Sequence, residues 1–158
     1  MDITFKTDDG IFNYRVCAVI IDRGRLLAMK DERSPYYYLP GGRVLLHETA
    51  DDALRREVFE ELGIEAEIVR PLWLNQGFFV EDVSGQRYHE LCLYYLVDVS
   101  HTGIMDYGDR FVLYEEGKKH TFHWLRFDEL ESAYLYPKFI KRKIRNLPTE
   151  LTVQAEFE

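Results

Sequence analysis

The sequence predicts an α/β protein in which a mixed central sheet is sandwiched between helices, an α/β/α arrangement. Three observations carry that expectation. A strongly patterned helix sits mid-chain with strand-like runs on both sides of it, two of those runs are apolar on both alternating faces, and no repeat, low-complexity tract or linker divides the 158 residues. A single domain over 1–158, with a core about 12–147, is therefore expected.

Tyr14 to Ile21 is almost wholly apolar, and Leu91 to Val99 is broken only by Asp98, the pattern of central strands covered on both sides. Asp22-Arg23-Gly24-Arg25 separates the first run from Leu26 to Met29 and reads as a hairpin turn, so the sheet begins with an antiparallel pair. Asp31 to Pro35 is polar and proline-stopped, and Tyr36 to Leu39 then leads into Pro40-Gly41-Gly42, a loop with special backbone demands. Thr49 to Leu62 is the clearest helix. Thr49 can cap it with Asp52 in the capping-box position, neither Gly nor Pro interrupts it, and Gly63 suits a left-handed C-terminal residue. Ala50, Leu54, Val58 and Leu62 recur every four residues and form the stripe expected to pack on the sheet. Strand-like runs follow at Glu65 to Leu74, Gly77 to Val80 and His120 to Phe127. A last helix is expected from Pro137 to Arg145, with proline in its first turn, and the residues after Pro148 carry no readable pattern.

The apolar fraction of 46% and charged fraction of 30% are globular values, and the net charge of −8 argues against a main role in binding nucleic-acid polymers or anionic membranes. An anionic substrate would need a bound cation, or local Arg and Lys, to offset that repulsion. Cys17 and Cys92 each lie inside an apolar run and are read as buried free thiols. Met1 to Thr4 shows no basic region followed by an apolar stretch, and no segment approaches a membrane span, so a cytoplasmic protein is expected.

At about 100° per residue, Glu57, Glu60 and Glu61 fall within one arc of the helix, beside the apolar stripe. Carboxylates this close raise one another's pKa unless a cation sits among them, and an all-oxygen cluster suits magnesium or manganese. From the helix alone, a solvated acidic face with Arg56 paired to Glu60 is an equal alternative.

The wider spacing separates the two. Gly42 is followed by five residues, Glu48, seven residues and then Arg56-Glu57-Val58-Phe59-Glu60-Glu61-Leu62-Gly63-Ile64. This resembles, at every fixed position, the Nudix box Gly-x5-Glu-x7-Arg-Glu-U-x-Glu-Glu-x-Gly-U, with U a bulky aliphatic residue. The looser resemblance runs from the strand at Tyr14 through His123-Trp124 to the Asp128-Glu129-Leu130 turn.

The resemblance implies a Nudix-type fold and a Mg2+-dependent hydrolase, with Mn2+ as an alternative metal, that cuts a diphosphate linkage in a nucleoside diphosphate derivative or a nucleoside triphosphate. It implies Glu57 and Glu61 as direct metal ligands, Glu60 as a further or water-mediated ligand, and a carbonyl of the Gly41-Gly42 turn as another. Arg56 would orient Glu57, and Glu48 would fix the loop against the helix rather than bind metal. Glu57 is the first choice for the base that activates water, and Glu116 and Glu90 are candidates for a base outside the box.

Arg43, directly after the glycines, and Lys30 or Arg33, at the end of the second strand, are candidates to hold phosphate oxygens. Among the aromatics, Phe78 or Phe79 follows Asn75-Gln76-Gly77, where substrate-selecting loops of this family occur, while Tyr94 is expected to pack. The histidines His47, His89, His101, His120 and His123 do not gather at metal-ligand spacing, and none is assigned a zinc site. Two other functions compete. A non-catalytic sensor of a nucleotide metabolite is one, although the intact box weighs against it. Isomerase chemistry on an isoprenoid diphosphate is the other, and Cys17 and Cys92, in strand interiors, fit it poorly. Exposed aromatics would allow a homodimer.

Overall fold

The computed structural model describes residues 1–158 and shows the α/β sandwich with a mixed sheet. The chain runs through β1 (Thr4–Thr7), β2 (Gly10–Asp22), β3 (Arg25–Asp31), β4 (Gly41–Arg43), α1 (Ala50–Leu62), β5 (Glu67–Val80), β6 (Arg87–Asp98), β7 (Arg110–Glu115), β8 (Lys118–Arg126), α2 (Ile140–Lys143) and β9 (Thr152–Phe157). Short 3-10 helices occupy Gly103–Tyr107 and Phe127–Ser132. The strands line up as β7-β8-β3-β2-β6-β5-β9, with β1 and β4 paired to β2, and β2 runs parallel to β6.

Alternation along the central strands builds one core on each face. Val16, Ala18 and Ile20 of β2 join Leu27, Met29, Tyr95 and Val97 beneath Leu54, Val58 and Leu62 of α1. Cys17, Val19, Leu26, Ala28 and Tyr94 point the other way, toward Phe139, Ile140 and Ile144. The doubly apolar runs are thus covered on both sides.

Helix α1 starts and stops where the sequence places it. Thr49 is extended and its hydroxyl accepts from Asp52 N–H at 3.1 Å, while Gly63 is left-handed at φ 69° and its N–H closes on the Phe59 carbonyl. The β2–β3 turn has positive φ at both Arg23 and Gly24, as a tight hairpin requires.

What opens the molecule is a split in the sheet. β2 and β3 pair only at Ile21–Leu26 and Asp22–Arg25, then diverge. The chain from Tyr38 to Arg43 fills the gap: Met29 and Tyr38 exchange two backbone bonds of 2.8 Å, Ala18 N–H donates to Pro40, and β4 pairs with Arg15 to Cys17. The glycine turn is therefore wedged between two diverging strands.

Several elements differ from the expectation, among them the short strands β1 and β4, which were not foreseen. The runs expected at 65–74 and 77–80 merge into one strand, β5, which begins at Glu67 and holds Asn75 and Gln76 inside it; register shifts at Ile68/Arg70 and Pro71/Trp73 absorb the proline. The last helix shrinks from Pro137–Arg145 to Ile140–Lys143, because Phe139 makes no side-chain cap and the flanking turns close partly through i→i+3 bonds. β7 adds an unforeseen strand. The tail forms β9, parallel to the edge of β5, and its inward side chains Gln154 and Glu156 are polar, which hides the strand from a hydrophobic pattern.

Candidate active site

The mouth of the split opens into a cleft of about 490 Å³. At one side of it, α1 presents Glu57 and Glu61 to the glycine turn. Gly41 N–H donates to Glu61 Oε1 at 2.8 Å, and a Cβ on Gly42 would lie 2.3 Å from the Glu57 carboxyl carbon. Gly41 itself has φ 155°, and a Cβ there would strike the Val16 carbonyl oxygen at 2.1 Å. The two glycines therefore do different work: Gly41 lets the turn pack on β2, and Gly42 makes room for a carboxylate.

Arg56 ties the turn to the helix. Its Nε and Nη2 each donate to Glu48 at 2.8 Å, Nη2 also donates to the Arg43 carbonyl at 3.1 Å, and Nη1 meets Glu57 Oε1 at 2.8 Å and Glu60 at 3.4 Å. Glu48 in turn accepts from Leu45 N–H at 3.0 Å. The hydrogen bonds from Arg56 hold the Glu48 carboxyl below its ordinary range. Burial pushes Glu57 up against the opposing pull of Arg56. Glu61, almost fully buried, is pushed well above the usual carboxylate range by burial first and then by the charges of Glu57 and Glu115.

The remaining expected residues divide. Arg43 lines the cleft, half-exposed, with Asp2 at 3.4 Å. Glu90 lines it too, buried beside Asn13 and 3.8 Å from Arg15. Glu60 points outward, its side chain 43% exposed, and does not line the cleft. Lys30 lies 4.8 Å over the ring of Tyr37, and Arg33 is exposed on the Asp31 turn; neither reaches the cleft wall. Glu116 sits exposed at φ 49° in the β7–β8 turn, and its neighbour Glu115 lines the cleft instead. Strand alternation sends Phe78 to the opposite side, stacked on Phe157 and His89, and leaves Phe79 in the cleft against Tyr88. His47, exposed at φ 71°, serves its turn.

Sequence patterning did not single out Asn13, Arg15, Asp31 and Tyr136 in the cleft wall, nor Glu156 and Glu158 of the tail. One signal was present for the first two and for Asn75 and Glu90: polar side chains at inward positions of otherwise apolar strands. Cys17 lies in the cleft floor, but it is 5% exposed and its sulfur is engaged by Cys92 at 3.6 Å. His120, not marked as a zinc ligand by the sequence, falls in a cluster with Glu61 and Glu115 whose ligand atoms all lie within 4.8 Å of one another. Its Nδ1 is buried without a partner, an arrangement that costs about 1–3 kcal/mol unless something meets it.

Residues 12–147 match the family model for the NUDIX domain. The chain belongs to the NUDIX family. A "MutT-like protein" of Streptomyces ambofaciens is 36% identical to this NUDIX chain over 63 residues, which span 39% of the chain and 41% of that relative. Among solved structures, a MutT protein from Bacillus halodurans superposes with a TM-score of 0.61 at 13% identity, covering 92% of this chain and 89% of the other. An ADP-ribose pyrophosphatase from Streptococcus suis gives 0.58 at 14% identity, covering 91% and 98%. At these identities the structural matches speak for the fold. No helix is long and apolar enough to cross a membrane.

A divalent cation fits the acidic side of the cleft. Two carboxyls, one of them nearly fully buried, converge on a turn that has no side chain in the way, and burial disfavours their charged forms unless positive charge joins them. The donors are oxygens, as Mg2+ and Mn2+ prefer.

Proposed function

We propose that this NUDIX chain hydrolyses the phosphoanhydride bond of a nucleoside diphosphate derivative or a nucleoside triphosphate. The observation that carries this reading is the convergence of Glu57 and Glu61 on the Gly41-Gly42 turn at the edge of an aromatic cleft. The names of structural neighbours, a MutT protein and an ADP-ribose pyrophosphatase, agree with that class of chemistry.

Glu57, Glu61 and a Gly42 carbonyl would hold Mg2+ or Mn2+, with Glu60 joining through water from its outward position. Such an ion supplies charge to offset the diphosphate oxygens and brings bound water closer to hydroxide. Glu57 would accept the proton of the attacking water through the carboxylate oxygen left free of the ion, and Arg56 keeps that carboxylate turned toward the glycine turn. Glu48 holds Arg56 and the Leu45 backbone together, so the loop and helix keep their spacing through turnover. Arg43 meets phosphate oxygens at the rim. Glu90, held beside Arg15, is the stronger candidate for a base outside the box, because Glu116 faces away from the cleft. Phe79 and Tyr88 offer a flat face to a base or sugar-linked group.

A panel of nucleoside diphosphate derivatives and triphosphates with Mg2+, followed by phosphate or nucleotide release, tests this. Turnover of at least one member that disappears in Glu57→Gln plus Glu61→Gln is expected. Calorimetric binding with no product from any member would instead make the chain a metabolite sensor.

A further inference from the structure

We propose that Glu61, Glu115 and His120 form a second divalent-cation position, sharing Glu61 with the box and lying toward the β7–β8 hairpin, that takes a transition-metal ion such as Mn2+ more readily than Mg2+. The proposal rests on the reading of the cleft as a cation site and adds a nitrogen ligand to it.

Three observations converge. The ligand atoms of Glu61, Glu115 and His120 lie within 4.8 Å of one another, although they come from α1, β7 and β8. His120 is only 9% exposed and lines the cleft, yet its Nδ1 has no partner, and its Nε2 stands 3.8 Å from Glu115 Oε2, beyond hydrogen-bond reach. A buried imidazole whose Nδ1 has no partner, and whose Nε2 has only a carboxylate oxygen at 3.8 Å, leaves its nitrogens open to a ligand that the protein does not itself supply. The partners facing it are two carboxylates, and Glu61 also feels the Glu115 charge.

The spacing suits one ion. Two ligands each about 2.2 Å from a metal stand about 3–3.6 Å apart at octahedral or tetrahedral angles, so a small rotation of the Glu115 carboxylate closes the cluster. One imidazole with two carboxylates is a mixed nitrogen and oxygen set. Mg2+ favours oxygen and water, whereas Mn2+, Co2+ and Zn2+ accept imidazole readily. The hairpin therefore supplies the nitrogen that sets the preference of the second position, while Glu61 is shared with the box.

Pulsed electron paramagnetic resonance of the full-length chain loaded with Mn2+ tests the proposal directly, because only His120 among the five histidines lines the cleft. The wild-type protein is expected to show hyperfine coupling from a directly bound imidazole nitrogen. Glu57→Gln should keep that coupling even though it damages the box. His120→Gln should lose it and weaken Mn2+ binding at this position at least about tenfold to a hundredfold, the loss that removal of a mere supporting group already causes. Glu115→Gln should weaken the same position in a calorimetric Mn2+ titration while leaving the ring in place, which guards against a His120 variant that folds poorly. Mn2+ bound without nitrogen coupling would overturn this inference alone. Coupling that survives His120→Gln would overturn it as well, and no Mn2+ binding at all would remove both it and the proposed function.

Discussion

Along its acidic side the cleft takes its box groups from one stretch of chain, Gly41 to Glu61, with Glu115 and His120 added by the β7–β8 hairpin, whereas its aromatic wall collects Tyr36, Phe79, Tyr88 and Tyr136 from separate segments, with Glu156 added from the tail. The acidic side is bound internally: Arg56 alone touches Glu48, Glu57, Glu60 and the Arg43 carbonyl. The aromatic wall is held by longer reaches, such as Tyr36 to Glu81 at 2.7 Å and Tyr136 to Asp82 at 2.8 Å. A local, over-determined unit suits chemistry that must keep its geometry. A wall assembled from distant segments can change one segment at a time, which suits the choice of substrate.

Substitutions that touch only one side break or sharpen this contrast. The largest effect is expected for Glu57→Gln with Glu61→Gln, where kcat/KM falls by about 10²–10⁴-fold or more, measured by phosphate release, while substrate affinity for the aromatic wall survives. Next comes the glycine pair. Gly41→Ala drives a Cβ into the Val16 backbone and should cost more than about 2 kcal/mol of stability in a denaturant melt. Gly42→Ala meets only the tip of the Glu57 side chain, so Tm should barely move while kcat falls about 10²-fold, as expected for a displaced catalytic group. Equal loss of stability in the two variants would undo the division of labour assigned to them.

On the aromatic wall, Phe79→Ala should raise KM by about tenfold, in line with about 1–3 kcal/mol per stacked base, with kcat little changed. Phe78→Ala, on the other side of β5, should leave KM alone; a matching rise would place the substrate elsewhere. The smallest effect concerns pH. Glu48 has its folded pKa held below its ordinary value of 4.5, so its contribution is present above that pH and is lost as pH falls through the depressed value. Glu48→Gln should therefore lower stability by about 0.5–1 kcal/mol at neutral pH, with the gap to wild type closing in acid melts as Glu48 of the wild type is protonated.

Much of the acidic side was legible without coordinates. Thr49, Gly63 and the Ala50–Leu62 periodicity state a helix and its ends, and the Gly42-to-Glu61 spacing brings the glycine turn to it. Such features are local, because a helical turn fixes which side chains share an edge. Errors arose where orientation depends on a neighbour. Phe78 and Phe79 are adjacent letters, and only the pairing of β5 with β6 and β9 decides which one enters the cleft. Glu115 rather than Glu116 turns inward because Glu116 takes the left-handed corner of its hairpin.

By itself, then, the sequence determined the helix, its caps, the doubly buried strands and the acidic edge of that helix, since each depends on contacts within a few residues or on periodicity along one element; that the edge faces the glycine turn was implied by the resemblance to the Nudix box. Tertiary structure alone decided that β2 and β3 part to admit that turn, that a polar-lined tail becomes an edge strand, and that His120 arrives beside Glu61. Those outcomes depend on strand pairing between residues far apart in the chain, whose register is set by the packing of whole sheets rather than by any nearby residue.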